Sequence, residues 1–235
     1  MKELKRFLQI AGLNGSQKVN ELLLDCSENK VVVCCKSPDN ASGINIALNG
    51  NPFGVKEKIG ITDVEKLVKY LDLIGDDYKI KIEANRINVK GGNKSAKILL
   101  KDPQFLEELN ITTKKFDGIA QVNKDSLVLE LNVAQLKSIQ DYFNTTKSKK
   151  VELNIVDNKL TMNIGEEDTD ILSVELPVTG NGSKYRAKLS IAFVDAIQNL
   201  KGEVQLVLNK EEGNPVVMLF KEENIDGKLL FAQTN

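Results

Sequence analysis

Gly91-Gly92-Asn93-Lys94-Ser95 comes nearest to a phosphate-binding loop, whose backbone N–H groups would cradle an anion while the Lys reaches it. It lacks the full spacing, puts Asn before the Lys and lies between two strand-like runs, so a hairpin turn is expected there. Glu166-Glu167-Asp168 with Asp170 could hold a cation, but the Gly and terminal Glu of a calcium loop are missing, and a solvated turn fits better. Cys34 and Cys35 are adjacent on a strand-like run and face opposite sides, and neither has a His or a helix N-terminus to activate it. They suit buried small hydrophobes. The sequence contains no His, which removes the commonest general base and a common metal ligand. No catalytic set, metal or cofactor is expected; the chain reads as a non-enzyme.

The remaining chemistry is charge carried on helices. Residues 2–13 place Leu4, Phe7, Leu8 and Ala11 on one stripe and Lys2, Lys5, Arg6 and Gln9 opposite it. Residues 64–74 repeat the pattern, with Val64, Leu67, Val68 and Leu71 inward, Glu65, Lys66, Lys69 and Asp72 outward, and Thr62 and Glu65 spaced as a capping box. A third helix is predicted over 133–144, capped by Asn132, and a fourth over 191–200, capped by Ser190, with Asp195, Gln198 and Asn199 on its polar side. Each face taken alone reads as a solvated helix surface. The net charge of −1 names no partner, so a nucleic-acid binder would need its basic groups gathered on one surface.

Strands surround these helices. Period-2 runs bounded by Gly, Asn, Asp, Pro and Ser cover 20–26, 30–36, 43–48, 56–61, 78–84, 86–90 and 95–100 in the first half. The second half offers 126–131, 150–156, 159–165, 170–178, 185–189, 203–210, 215–222 and 228–233, with turns at 211–214 and 223–227. The helices thus begin near 2, 64, 133 and 191, and three strands follow each: a fourfold βαβββ-type repeat, its first strand weak or absent at the N-terminus. The fold class is α+β, two units to a domain, with both helices on one face of the sheets. Residues 101–117 have no clean period, so the expected division is 1–102, a connector at 103–118, and 119–235. The connector's Phe105, Leu106 and Leu109 either plug a core or line a pocket. Three Cys without an apolar leader or membrane-length run suit reduced thiols in a cytoplasmic protein.

Asn214-Pro215-Val216-Val217-Met218-Leu219-Phe220, followed by Ile225-Asp226-Gly227-Lys228-Leu229-Leu230-Phe231-Ala232, resembles the closing hairpin and tail of the sliding-clamp family. These DNA polymerase processivity factors include proliferating cell nuclear antigen and the T-even phage clamps, and the helical start makes the layout more similar to phage clamps. The resemblance implies the two-domain clamp fold, with sheets outside and helices lining the hole of a ring-shaped homotrimer that encircles duplex DNA. It places Lys2, Lys5, Arg6, Gln9, Lys66, Lys69, Lys137, Gln140, Asn144, Gln198, Asn199 and Lys201 toward DNA, tempered by Asp72, Asp141 and Asp195, with Lys147, Lys149 and Lys150 at one rim. It implies a pocket for short peptides of polymerase and clamp loader at Phe105, Leu106, Leu109, Leu230, Phe231, Ala232 and Gln233. The subunit joint would bring 95–102 against 170–178, with Ile98 and Leu100 meeting Ile171, Leu172 and Val174. A non-encircling DNA-binding subunit and a clamp-like transcription or repair co-activator are the alternative functions. A phage-encoded clamp would work in the host cytoplasm.

Overall fold

The computed structural model describes residues 2–13, 19–122, 126–134, 150–156, 159–165, 171–177, 184–190, 192–209 and 213–234. Helix α1 (Lys2–Ala11) starts the chain, and four strands follow: β1 (Leu22–Asp25), β2 (Lys30–Lys36), β3 (Ser42–Asn49) and β4 (Lys58–Ile61). Helix α2 (Val64–Ile74) leads to a meander of β5 (Lys79–Glu83), β6 (Arg86–Gly91) and β7 (Lys94–Lys101). A 3₁₀ helix (Pro103–Leu109) and α3 (Thr113–Ile119) then reach β8 (Leu127–Asn132). The second half continues with β9 (Lys150–Val156), β10 (Lys159–Ile164), β11 (Leu172–Pro177) and β12 (Tyr185–Ser190). It closes with α4 (Ala192–Gln198), β13 (Glu203–Leu208), β14 (Val216–Lys221) and β15 (Ile225–Phe231).

The repeat is written in the strand pairing. In the first half the order β4-β1-β2-β3 stands beside the meander β5-β6-β7. In the second half β12-β9-β10-β11 and β13-β14-β15 reproduce it, with β8 added against β13. Every pairing is antiparallel, and β2 alternates buried and half-buried positions along its whole length, as one covered face requires. The halves join where β15 pairs with β3 from Ile225↔Leu48 to Phe231↔Ser42.

One main apolar cluster joins these layers. It takes Leu4, Phe7 and Leu8 of α1, Leu67 and Leu71 of α2 and Phe193 of α4. Phe193 meets Phe231 edge to face, with ring centroids 5.3 Å apart. Cys26 and Cys35 lie in this cluster, and burial pushes both thiols up to about 12; Cys34, half-buried, is pushed up to about 11, also by burial. Tyr78 and Tyr185 are likewise raised to about 12 by burial. These five groups are neutral in the fold, whereas the unfolded chain ionises them from their ordinary values of 9.0 and 10.0 upward. The stability they support is complete below about pH 9 and is lost as pH rises toward 12. Urea midpoints measured from pH 7 upward should therefore hold level, then fall steadily on the alkaline side of about 9.

Several boundaries differ from the sequence reading, each for a local reason. Asp63, not Thr62, caps α2: its carboxylate accepts from the Lys66 N–H at 2.8 Å, so the Thr62–Glu65 box does not form. Asp226 and Gly227 belong to β15 and not to the turn, which the Glu222 N–H closes onto the Ile225 carbonyl at 2.7 Å. The connector, read as irregular, contains two short helices capped by Asp102 and Thr112. The hairpin expected at 91–95 is present, with Gly91 paired to Lys94. Asn132 caps the chain after β8 by accepting from the Ala134 N–H. Most of the helix expected over 133–144 and the acidic run from Glu166 to Asp170 lie outside the described residues. Among the described residues no helix is long and apolar enough to cross a membrane.

Candidate nucleic-acid, partner and subunit surfaces

The polar face of α1 lines an open cleft of about 790 Å³. Lys2, Lys5, Arg6 and Gln9 meet Lys201, Lys221, Glu222 and Glu223 from the far end of the chain there. Arg6 makes a bidentate pair with Glu222, Nε to Oε2 at 2.9 Å and Nη2 to Oε1 at 2.7 Å, with both side chains under a fifth exposed. The Lys201 N–H donates to the same carboxylate at 3.0 Å. Glu222 therefore straps α1 to the turn after α4, and a planar guanidinium held at two points stays put. Lys2 pairs with Asp76 at 3.1 Å and Lys5 with Asp72 at 2.5 Å. Such exposed pairs are worth roughly 0–1 kcal/mol, so either Lys can exchange its carboxylate for a phosphate.

On α2, Lys69 reaches Glu65 one turn back at 2.6 Å, and this hydrogen bond raises its pKa above the ordinary Lys value. Lys66 is exposed, its ammonium 6.0 Å from the Tyr70 ring centroid. Lys201 is exposed beyond α4, and the Asn199 amide is turned onto the Asp195 carbonyl. Asp195, expected on the polar side, is buried, so it adds no exposed carboxylate. Gln198 lies in α4, while Lys137, Gln140, Asp141, Asn144, Lys147 and Lys149 fall outside the described residues.

The connector divides the residues read as one pocket. Leu106 is fully buried, Leu109 half-buried and Phe105 73% exposed. Leu230 lies instead in a second apolar cluster with Phe116 of α3, Ala120, Val207 and Val217. Phe231 turns the other way into the main core. Ala232 donates its N–H to the Ala41 carbonyl, and the Gln233 amide donates to the Asn214 carbonyl at 2.7 Å. Phe116 went unread in the sequence, though Thr112 as a cap with Phe116 and Ala120 at helical spacing was the available signal.

Besides β5, β8 and β12, which end their sheets, two strands leave an edge open among the described residues. Strand β7 pairs with β6 along its length but with β4 only through Leu100 and Lys101, and β11 pairs only with β10. Among the described residues nothing borders the other side of β7 from Lys94 to Leu99, or of β11. Ile98, read as a residue of the joint, is only 6% exposed and belongs to the main core. The exposed apolar residues at these edges are Leu99 at 53% and Ile171 at 52%, while Leu100, Leu172 and Val174 are half-buried.

No protein-family model and no curated protein sequence matches the chain. Solved structures do. Proliferating cellular nuclear antigen from Entamoeba histolytica superposes with a TM-score of 0.74 at 17% identity, covering 99% of this chain and 95% of that one. The chain has the sliding-clamp fold. The clamp from Thermococcus kodakaraensis gives the same score at 14% identity, over 99% of this chain and 96% of its own. An A. fulgidus clamp, solved with the C-terminal region of FEN-1 bound, also scores 0.74, at 12% identity over 98% and 96%. At such identities the clamp fold is shared by shape. It survives because alternation, turns and helix stripes can be met by many residues.

Proposed function

We propose that this protein is a DNA sliding clamp, a polymerase processivity factor that closes as a homotrimer around duplex DNA. The observation that carries the reading is the seam between β3 and β15. By the internal repeat, β7 corresponds to β15 and β11 to β3, and those two strands keep open edges. Pairing β7 of one subunit with β11 of the next repeats the seam in trans, satisfies the unpaired N–H and C=O groups and closes head to tail. Leu99 and Ile171 would then be covered.

In that ring the two-domain division, 1–102 and 119–235 about a connector, makes six similar modules. The exposed Lys2, Lys66, Lys69 and Lys201 and the half-buried Lys5 supply sequence-independent phosphate contacts, each weakened by a nearby carboxylate or by salt. Weak contacts suit a protein held on DNA by topology, since strong ones would stop it sliding. The connector side takes peptide segments of polymerase, loader and other replication proteins, as a scaffold without catalysis of its own. It works in the cytoplasm, that of the host if the gene belongs to a phage.

Light scattering on the purified chain tests this. A mass near three times the 26.0 kDa chain is expected. A single-chain mass with tight, salt-sensitive binding to linear duplex would support a non-encircling DNA-binding subunit instead.

A further inference from the structure

Strands β13, β14 and β15 bury apolar residues on both faces, the second face only at one end, beyond the exposed Glu203, Gln205, Lys221 and Asp226. One face carries Val204, Leu206, Val216, Met218, Leu229 and Phe231 into the main core. On the other, a single rung runs Val128↔Val207, Val207↔Val217, Val217↔Leu230 and Leu230↔Gly43 across five strands. Phe116 is fully buried on this rung. Gly43 makes room for it, since a Cβ there would stand 3.0 Å from the ring.

The segment that brings Phe116 is short. Helix α3 has seven residues, too few to be stable alone, and contains Gly118. Beyond the ring it is fastened by buried Ala120 and half-buried Ile111 in the same cluster, the Thr112 cap and the Ile111 N–H to the Cys34 carbonyl. The bridge of Asn110 to Cys35, the Asn209 amide on the Gln121 carbonyl, and Lys228 to Asp117 at 2.9 Å, an ion pair with both partners more than a third exposed, hold it further. A short helix anchored by one aromatic and one alanine, Phe116 and Ala120, on a ready-made apolar rung has the form of a ligand that the chain supplies itself.

We propose that α3 is a built-in occupant of a peptide seat, and that a partner docks there by replacing Phe116 with an aromatic on one helical turn of its own. This rests on the clamp reading above and adds its regulation: the seat is closed until a segment competes. The similar A. fulgidus clamp is solved with the C-terminal region of FEN-1 bound. The free fraction of the seat scales the apparent affinity, so emptying it strengthens binding without any new contact.

The test uses a fluorescent synthetic peptide copying residues 110–120 and anisotropy titrations on the full chain. Phe116→Ala should bind it about tenfold more tightly than wild type, and Asp117→Asn, which keeps the ring but loosens the helix, about two- to threefold. A peptide with its own Phe replaced by Ala should not bind. Asp117→Asn carries the test if Phe116→Ala fails to fold. Equal affinities across wild type and the folded variants would overturn the displacement while leaving docking at this surface intact. No binding to any form, the emptied one included, would overturn docking there as well.

Discussion

Leu99→Asp combined with Ile171→Asp should convert a three-chain assembly into folded monomers, read as a drop in light-scattering mass from three times to once 26.0 kDa. Both side chains are more than half exposed in the single chain, so the fold tolerates the change; surface substitutions usually cost within about 0.5 kcal/mol. In a joint they would be covered, and burying an unpaired carboxylate costs several kcal/mol. At 1.4 kcal/mol per factor of ten, the pair weakens association by roughly a thousandfold or more. Unchanged circular dichroism would separate this from unfolding. Phe105→Asp, on a still more exposed residue in the 3₁₀ helix, should leave the mass as it was. An unaltered mass for the double variant would show that these edges do not carry the joint.

Gly227→Ala should be a costly single methyl. Gly227 pairs with Ile46 in the β3–β15 seam, and a Cβ there would stand 2.6 Å from the Asn45 carbonyl oxygen and 2.9 Å from the Ile46 Cα. Backbone atoms cannot swing aside as a side-chain tip can, so the strands must part. We expect a loss of about 3 kcal/mol, the upper range for overpacking, and a melting temperature lower by roughly 10 °C. Amide exchange should quicken on both strands of the seam. A melting temperature within a degree or two of wild type would mean the close approach is not needed. Gly227 was read from the sequence as a turn residue, since Asp-Gly is a strong hairpin signal. Its actual task is to let two strands come together, which only the partner strand reveals.

That contrast explains what was legible. The alternation of β2, the helix stripes of α1 and α2 and the turn residues between strands are local signals, and the repeat could be assembled from them. The run Ile98-Leu99-Leu100 has no alternation, so which side faces inward depends on the pairing of Ile98 with Ile87. The sequence reading set Ile98 at the open edge for that reason, where the exposed residue is Leu99. Arg6 and Glu222 stand at opposite ends of the chain, and nothing local announces that one carboxylate holds both α1 and the turn beyond α4. Phe116 was hidden in a stretch without a long period, where one helical turn suffices to seat an aromatic.

Negative-stain electron microscopy of the wild-type protein tests the central claim most directly. The account predicts closed rings with a central hole wide enough for duplex DNA and six similar modules around the rim, and Leu99→Asp with Ile171→Asp should abolish them. Solid particles without a hole, or open chains that never close, would contradict it.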